Sequence, residues 1–193
     1  MPNPFALSQI WRACLAGLAF CLSAAAIADE VVIDFEEVAI RLDPTNDEVV
    51  NRPERYVEKG VEFKLARQPE RSKARGRIMF FPHIASGRKG ILNAMASEQE
   101  IPVQVRFPNG ASAVTIVFWA STGAAAKLEA YSSDGEVVAR DALEVVPGRE
   151  RPEEPVPTFE LKVVASEIAF VEFSGPRTGE YLAADEVRFT PLD

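Results

Sequence analysis

Residues 113–138 constrain the fold of this chain more than any other stretch. Residues 113–121 are β-branched, aromatic or small and carry no charge, a composition typical of a central strand covered on both faces. Residues 127–131 then alternate between polar or aromatic and apolar side chains, which is the period of a strand with one solvent face. The following Asp134-Gly135 pair can supply the positive φ of a tight hairpin turn. This stretch therefore predicts a β-sheet core.

Similar strand-like runs, separated by turn signals, continue along the rest of the chain. They cover residues 30–37, 60–66, 77–81, 90–94, 100–107, 136–145, 158–164, 168–174 and 181–190. Short strands without helical intervals indicate a sandwich or a barrel. We predict one all-β domain over residues 29–193 with about ten antiparallel strands, a turn at Pro108-Asn109-Gly110, and charged surface loops over 43–58 and 147–157.

The alternation also predicts which side chains form the sheet interior. Apolar residues of the central strand should pack against apolar residues from the preceding and following strands. The predicted core contains Val114, Ile116 and Phe118 together with Val105, Phe107, Leu128, Val171 and Phe173.

The N-terminus has the pattern of a secretory signal peptide. Arg12 precedes an apolar stretch, 13–27, that is too short to span a bilayer comfortably. Ala26 and Ala28 form the small-x-small pattern of a cleavage site, so we predict a signal peptide over 1–28, cleavage before Asp29, and a secreted or periplasmic protein without membrane insertion after cleavage. The alternative is an uncleaved N-terminal anchor.

Charge and residue usage exclude several classes of function. The chain has 21 basic and 29 acidic residues and a net charge of -8, which becomes -9 when Arg12 is removed with the signal peptide. This acidic balance argues against nucleic acid and anionic membranes as general partners. Both cysteines, Cys14 and Cys21, precede the cleavage site and His83 is the only histidine, so neither a cysteine nucleophile nor a Cys/His zinc site is predicted.

One basic run stands out within this acidic chain. Residues 67–77 contain Arg71, Lys73 and Arg75 and only one acid, Glu70. Such a run is either a solvated hairpin tip or a local anion site for acidic sugars or phosphate, which arginine forks would bind.

Aromatic and paired acidic residues supply the remaining site candidates. Trp119 and Tyr131 are the best residues for stacking on a sugar ring, with core packing as the alternative for Trp119; Tyr56 and Tyr181 are comparable candidates. Asp34 and Glu36 are two positions apart on a predicted strand, which places their carboxylates roughly 7 Å apart. That spacing suits an inverting glycosidase, and it also arises on any strand face with two acids.

Several pieces of the chain resemble a family of secreted bacterial β-sandwich domains. They are I-D-F-E at 33–36, G-V-E-F at 60–63, I-P-V-Q-V-R-F at 101–107, L-E-A-Y-S-S-D-G-E-V-V at 128–138, I-A-F-V-E-F-S-G at 168–175 and D-E-V-R-F at 185–189. The family has a jelly-roll, galactose-binding-like architecture and includes uncharacterised exported proteins of the PEP-CTERM type. We expect no sorting tail here, because the chain stops directly after its last predicted strand.

The resemblance implies carbohydrate binding, on a strand face or at the loops of one end, and a structural calcium ion. In the resembled domains calcium lies between the first and last strands, which here would bring Asp185 together with Glu36 or Glu37. Asp185 shares the period of Val187 and Phe189, and a carboxylate on that inward face is costly unless it is paired or binds a cation. The alternative is that Asp185 caps a turn.

These observations predict an exported, non-catalytic binding module for carbohydrate or another component of the cell envelope. Two alternatives stay open from the sequence. One is a structural or interaction module without a small-molecule site, and the other is a glycan-active enzyme that uses Asp34 and Glu36. The sequence does not predict the oligomeric state.

Overall fold

Twelve β-strands, and no helix, make up the part of the chain that the structure describes. The computed structural model describes residues 29–39, 42–43, 48–49, 51–70, 75–82, 89–94, 100–120, 125–147, 154–175 and 182–192. The strands are β1 (Val31–Ile33), β2 (Leu42–Asp43), β3 (Glu48–Val49), β4 (Arg55–Glu58), β5 (Val61–Leu65), β6 (Ile78–Pro82), β7 (Lys89–Asn93), β8 (Val103–Ala120), β9 (Ala126–Tyr131), β10 (Val137–Leu143), β11 (Thr158–Ser174) and β12 (Leu182–Pro191). Within these residues no helix is long and apolar enough to cross a membrane.

The two long strands β8 and β11 organise the sheet. Ten strands form one antiparallel sheet, whose main order is β10-β9-β11-β8-β12-β7-β6, while β2 pairs only with β3. On one edge β8 pairs with β11 along nearly its whole length. On its other edge, residues 103–106 pair with β5 and residues 111–120 pair with β12. The sheet therefore divides into two half-sheets that share β8 and β11.

We name the two half-sheets by their strands. The first half-sheet contains β4, β5, the beginning of β8, the end of β11, β9 and β10. The second contains the beginning of β11, the end of β8, β12, β1, β7 and β6. Strands that pass from one sheet to the other through a bend are how two layers of a sandwich are joined at a corner.

A β-bulge lies where β8 bends. Gly110 has a φ of 80° and lies between Arg106 and Ala111, where the β8–β11 register shifts on the facing stretch between Ile168 and Phe170. Before the bend the core-facing side chains lie at odd-numbered positions, such as Val103 and Val105. After the bend they lie at even-numbered positions, such as Ile116. The turn predicted at Pro108-Asn109-Gly110 is therefore wrong, because the glycine supplies the positive φ of a bulge within a continuous strand.

The two half-sheets pack face to face through aromatic side chains. Phe118 of the second half-sheet lies 5.2 Å, centroid to centroid, from Phe173 of the first. The rings of Phe107 and Phe189 are 4.8 Å apart near the bend. All eight residues predicted for the interior are buried in one continuous hydrophobic cluster. The predicted antiparallel β-sandwich and its core are confirmed.

The first strand is shorter than predicted and ends in an unusual turn. β1 ends at Ile33, and Phe35 then adopts a φ of 58° while its side chain is fully buried. The backbone N–H of Val38 donates to the carbonyl of Phe35 over 3.1 Å, which closes the turn. Burial of the Phe35 ring, rather than strand alternation, determines the path of the chain here.

Local sequence is sufficient to predict the hairpin between β9 and β10, but not the strand β4. Asp134-Gly135 forms the predicted hairpin between β9 and β10, with a Gly135 φ of 82° and a Ser132 N–H to Glu136 carbonyl distance of 2.9 Å. The loop predicted over 43–58 is wrong in part. It contains β4, whose Tyr56 packs against the core between the exposed residues Arg55 and Val57.

Candidate functional site

The solvent-facing side of the first half-sheet, which we call the outer face, carries two rows of aligned side chains. In each row every residue lies directly opposite the next one on the neighbouring strand. Five strand spacings of roughly 4.8 Å make each row about 24 Å long. The first row is Val57, Glu62, Arg106, Phe170, Tyr131 and Val137, and the second is Arg55, Lys64, Gln104, Glu172, Glu129 and Arg140.

An aromatic stack occupies the middle of the first row. The rings of Tyr131 and Phe170 are nearly parallel, with an interplanar angle of 6° and a centroid distance of 4.7 Å. The Arg106 guanidinium lies 4.7 Å from the Phe170 centroid. Since Arg106 and Tyr131 lie on the strands to either side of β11, Phe170 is enclosed between them, while half-buried Tyr131 keeps one ring face toward β10.

The Tyr131 hydroxyl is held by a carboxylate. It donates a hydrogen bond to Oε2 of Glu129 over 3.1 Å. Burial, followed by the negative charges of Glu172 and Glu129, raises the pKa of Tyr131 to about 12. Because this pKa is raised, the contribution of the protonated phenol is complete below pH 10 and is lost as the pH rises through about 12. Tyr131 is thus a neutral hydrogen-bonding aromatic residue at physiological pH.

Each of two glutamates on the outer face binds two cations. Glu129 pairs with Lys127 at 2.7 Å and with Arg140 at 2.8 Å. Burial alone would raise the pKa of Glu129, but Lys127, Tyr131 and Arg140 together hold it below its ordinary value. The stabilisation from Glu129 is therefore present above the ordinary glutamate pKa and is lost as the pH falls through the lowered one.

The second bridging glutamate lies toward the other edge of the face. Glu62 pairs with Arg55 at 2.7 Å and with Lys64 at 2.8 Å. The hydrogen bond from Lys64 is the largest cause of the lowered pKa of Glu62. Between the two networks, the Gln104 amide donates to Glu172 over 3.0 Å. The polar groups beside the aromatic stack are thereby fixed in place.

An open depression borders the outer face at the edge strand. It is lined by Val137, Val138, Ala139 and Arg140 and has a volume of about 340 Å³. Val137 lies directly opposite Tyr131 on the neighbouring strand. The first row therefore leads from the aromatic stack to this depression.

Trp119 lies elsewhere in the molecule. Its side chain is 5% exposed and belongs to a second apolar cluster outside the main core. Phe81 lies 6.2 Å from it, centroid to centroid. In this structure the indole packs within the protein, the alternative considered from the sequence, and it does not share a surface with Tyr131.

Arg75 and Tyr56, the other sequence candidates for ligand binding that the structure describes, are also separate from Tyr131. Arg75 is exposed and pairs with Glu54 at 3.3 Å, just before β4 and at the far edge of the first half-sheet. Tyr56 packs into the core and its hydroxyl donates to Glu58 over 2.7 Å. Four candidates from the sequence lie outside the described residues: Arg71, Lys73, Tyr181 and His83.

The pair proposed for catalysis does not share a strand face. Because β1 ends at Ile33, Asp34 and Glu36 lie in the turn, where Oδ1 of Asp34 accepts a hydrogen bond from the Glu36 N–H over 3.3 Å. Glu36 Oε1 accepts a bond of 3.1 Å from the N–H of Lys89, and the Lys89 ammonium donates to the Glu36 carbonyl. The strand geometry on which the enzyme hypothesis depended is therefore wrong, and Glu36 fastens the turn to β7.

The predicted calcium ligands are not gathered into a metal site within the described residues. Asp185 is 2% exposed, but it lies in a bulge between the pairs Ala184↔Phe118 and Glu186↔Val117 rather than in regular alternation. Nowhere in the described part of the chain do three or more His, Cys, Asp or Glu side chains come close enough to hold a metal ion. Calcium stays a prediction, which melting in EDTA against millimolar calcium tests.

Two members of the outer face were not singled out in the sequence. Phe170 lies in the alternating run 168–174, where the inward assignment of Val171 already implies that Phe170 faces outward. By the same reasoning, the inward assignment of Val105 and Phe107 implies that Arg106, which lies between them, faces outward. Only the pairing of β11 with both β8 and β9 reveals that these side chains meet Tyr131.

Comparisons with known proteins give fold likenesses of low similarity. No family model and no curated protein matches the chain. Among solved structures, the K1 cleaved adhesin domain of Lys-gingipain from Porphyromonas gingivalis W83 is 11% identical with a TM-score of 0.45, and the match covers 86% of this chain and 100% of that one.

A second solved structure comprises the CBM22-1 and GH10 modules of the endo-1,4-β-D-xylanase 10B from Clostridium thermocellum, complexed with xylohexaose. It is 11% identical with a TM-score of 0.39, and the match covers 61% of this chain and 25% of that one. At these TM-scores the likenesses carry no inference about function.

Proposed function

We propose that this protein is an exported, non-catalytic module that binds carbohydrate on its outer face. The observation that carries the proposal is the stack of Arg106, Phe170 and Tyr131 on the solvent side of a sheet whose opposite side already forms the core. Phe170 is 9% exposed and lies between the other two side chains, so the half-buried Tyr131 ring supplies the aromatic face that a ligand can reach. An aromatic surface flanked by fixed hydrogen-bonding groups suits a sugar ring, which has both apolar faces and hydroxyl groups.

One acid of the outer face, Glu129, is unsuited to be the proton donor of a glycosidase. Glu129 and Glu172 lie directly opposite each other on neighbouring strands, near the spacing of a retaining glycosidase. Such an enzyme needs one carboxyl group with a raised pKa that serves as the acid. Lys127 and Arg140 hold the pKa of Glu129 below its ordinary value, so Glu129 does not meet this requirement.

Replacement of Tyr131 tests the proposal. We expect Tyr131→Ala to weaken binding to the glycan selected on a glycan array by at least about 10-fold, or about 1.4 kcal/mol, because the stacking surface is removed. Affinity is measured by calorimetry, and the melting temperature confirms that the variant is folded. Val164→Ala, an exposed change on the second half-sheet, is the matched control and should bind like the wild type. Unchanged affinity in Tyr131→Ala would place the ligand elsewhere.

Export is the part of the proposal that depends on residues 1–28, which lie outside the described residues. It is supported by the apolar stretch and the small residues at positions 26 and 28. Intact mass spectrometry of exported material should give a chain that starts at Asp29. The finer resemblance to PEP-CTERM-type domains likewise stays a prediction.

A further inference from the structure

The charge of the outer face is opposite to that of the whole chain. Among its described residues are five basic and three acidic side chains, a net charge of +2, while the complete chain carries -8. The remainder of the sequence therefore carries -10. The basic residues are Arg55, Lys64, Arg106, Lys127 and Arg140, and the acidic residues are Glu62, Glu129 and Glu172.

The ion pairs within the outer face do not neutralise all of its basic side chains. Glu62 and Glu129 each neutralise only one of the two cations that they bridge. Arg106, at the centre of the face, contacts the Phe170 ring and forms no ion pair within 4 Å among the described residues, although its charge helps to lower the pKa of Glu62 on the neighbouring strand. A guanidinium of this kind can present its N–H groups to an incoming anion.

We infer that the outer face selects an acidic polysaccharide, one whose sugar rings carry carboxylate or sulfate groups. This inference rests on the proposed function, because it names the chemical class of the glycan that the same face binds. The aromatic stack would contact a sugar ring while Arg106 and the outer cations receive the anionic groups. The acidic remainder of the molecule repels extended anionic surfaces, whereas a single flexible chain can follow a row about 24 Å long.

The spacing of the cations fits a repeating ligand better than a single sugar. Arg55 lies on β4 at one edge, Arg106 on β8 near the middle and Arg140 on β10 at the other edge. Positive groups therefore recur across the whole width of the half-sheet. A polymer with an anionic group on successive rings can satisfy several of them at once, which raises affinity without deep burial of any one sugar.

The experiment compares one polymer in charged and uncharged forms. Polygalacturonate and its fully methyl-esterified form share a backbone and differ in charge, and dextran sulfate with dextran forms the sulfate pair. We expect the protein purified after export to bind polygalacturonate at least about 10-fold more tightly than the ester. We also expect the affinity to fall steeply as salt rises above about 0.1 M, where the screening length is about 10 Å. Dextran sulfate binding that exceeds dextran binding would extend the ligand class to sulfate.

Charge-matched variants locate the effect. Arg106→Gln should lose at least about 10-fold in affinity for polygalacturonate, and Arg106→Lys should retain part of it. Lys162→Gln, which removes one positive charge from an exposed position of β11 on the second half-sheet, should bind like the wild type. Melting temperatures show whether each variant is folded. If Arg106→Gln does not fold, Arg106→Lys still tests the role of the guanidinium.

The outcomes separate the two proposals. Equal binding to polygalacturonate and its ester would overturn the acidic preference and leave a glycan-binding face. Strong charge-dependent binding that Arg106→Gln and Arg106→Lys leave intact would overturn the assignment to the outer face. Binding to neither polymer pair would overturn the acidic preference, and a glycan array without any ligand would overturn the proposed function as well.

Discussion

Phe118→Ala should lower the free energy of unfolding by about 3–5 kcal/mol. Phe118 is completely buried near the end of β8, and its ring contacts Phe173 at 5.2 Å and Phe159 at 5.7 Å between centroids. Truncation removes aromatic contacts that join the two half-sheets and leaves a cavity that strands paired on both edges cannot close. A loss of this size is a large part of the stability of a typical domain.

Urea unfolding of the wild type and the variant measures this loss. Val164→Ala is the matched control, because Val164 lies on the neighbouring strand β11 but is 62% exposed. We expect it to change the free energy of unfolding by less than about 0.5 kcal/mol. A loss below 1 kcal/mol in Phe118→Ala would mean that the wrong side chains of the central strand have been assigned to the core.

Replacing Phe35 should greatly lower the free energy of unfolding, and glycine should be tolerated there at least as well as alanine, which reverses the usual order. Its ring packs against Phe63 at 5.3 Å and Phe80 at 5.9 Å, so removing it should cost about 3–5 kcal/mol. At a φ of 58°, however, a Cβ atom carries a strain of about 1–2 kcal/mol that glycine avoids. We therefore expect Phe35→Gly to be at least as stable as Phe35→Ala.

Phe63 provides the control for this order. It is equally buried but lies in the regular strand β5, where glycine is less stable than alanine by about 0.5–1 kcal/mol. Thermal melting of the four variants gives both orders. If Phe35→Gly is less stable than Phe35→Ala by the same margin as at Phe63, the left-handed turn after β1 does not form.

The parts of the fold that follow from local pattern were predictable. The central strand, the alternation of 127–131 and the Asp134-Gly135 hairpin each depend on neighbouring residues, and all three are confirmed. The bend at Gly110 was not predictable in this way. Proline, asparagine and glycine in succession suit both a hairpin turn and a bulge, and only the pairing of β8 with β11 on both sides of the bend decides between them.

The prediction of the first strand was wrong for a different reason. The alternation of 30–37 is regular, but it cannot show that burying Phe35 against Phe63 and Phe80 outweighs the strain of a positive φ. The aromatic cluster comes from three separate segments of the chain. This long-range packing, absent from any local pattern, moves Asp34 and Glu36 off the strand and removes their shared face.

The sequence could predict individual residues of the candidate site, but not that they lie side by side. Tyr131 was selected as an aromatic residue that can stack on a sugar ring, and the inward assignment of Val105 and Phe107 implies an outward Arg106, but nothing local places them beside Phe170. Their meeting depends on the order β9-β11-β8, in which the strand that comes last along the chain inserts between the other two. Trp119 shows the opposite case, because a bulky aromatic residue at a strand end can pack under neighbouring segments that only the fold reveals.

Chemical-shift mapping by NMR tests the central claim most directly, because it reports where the ligand lies on the folded protein. Trp119 is the only tryptophan beyond residue 28, so its indole N–H gives one resonance that reports on the second half-sheet. On titration with polygalacturonate fragments, we expect amide shifts at Arg106, Tyr131 and Phe170 and an unchanged Trp119 indole. A shifted Trp119 indole with an unperturbed outer face would contradict the account.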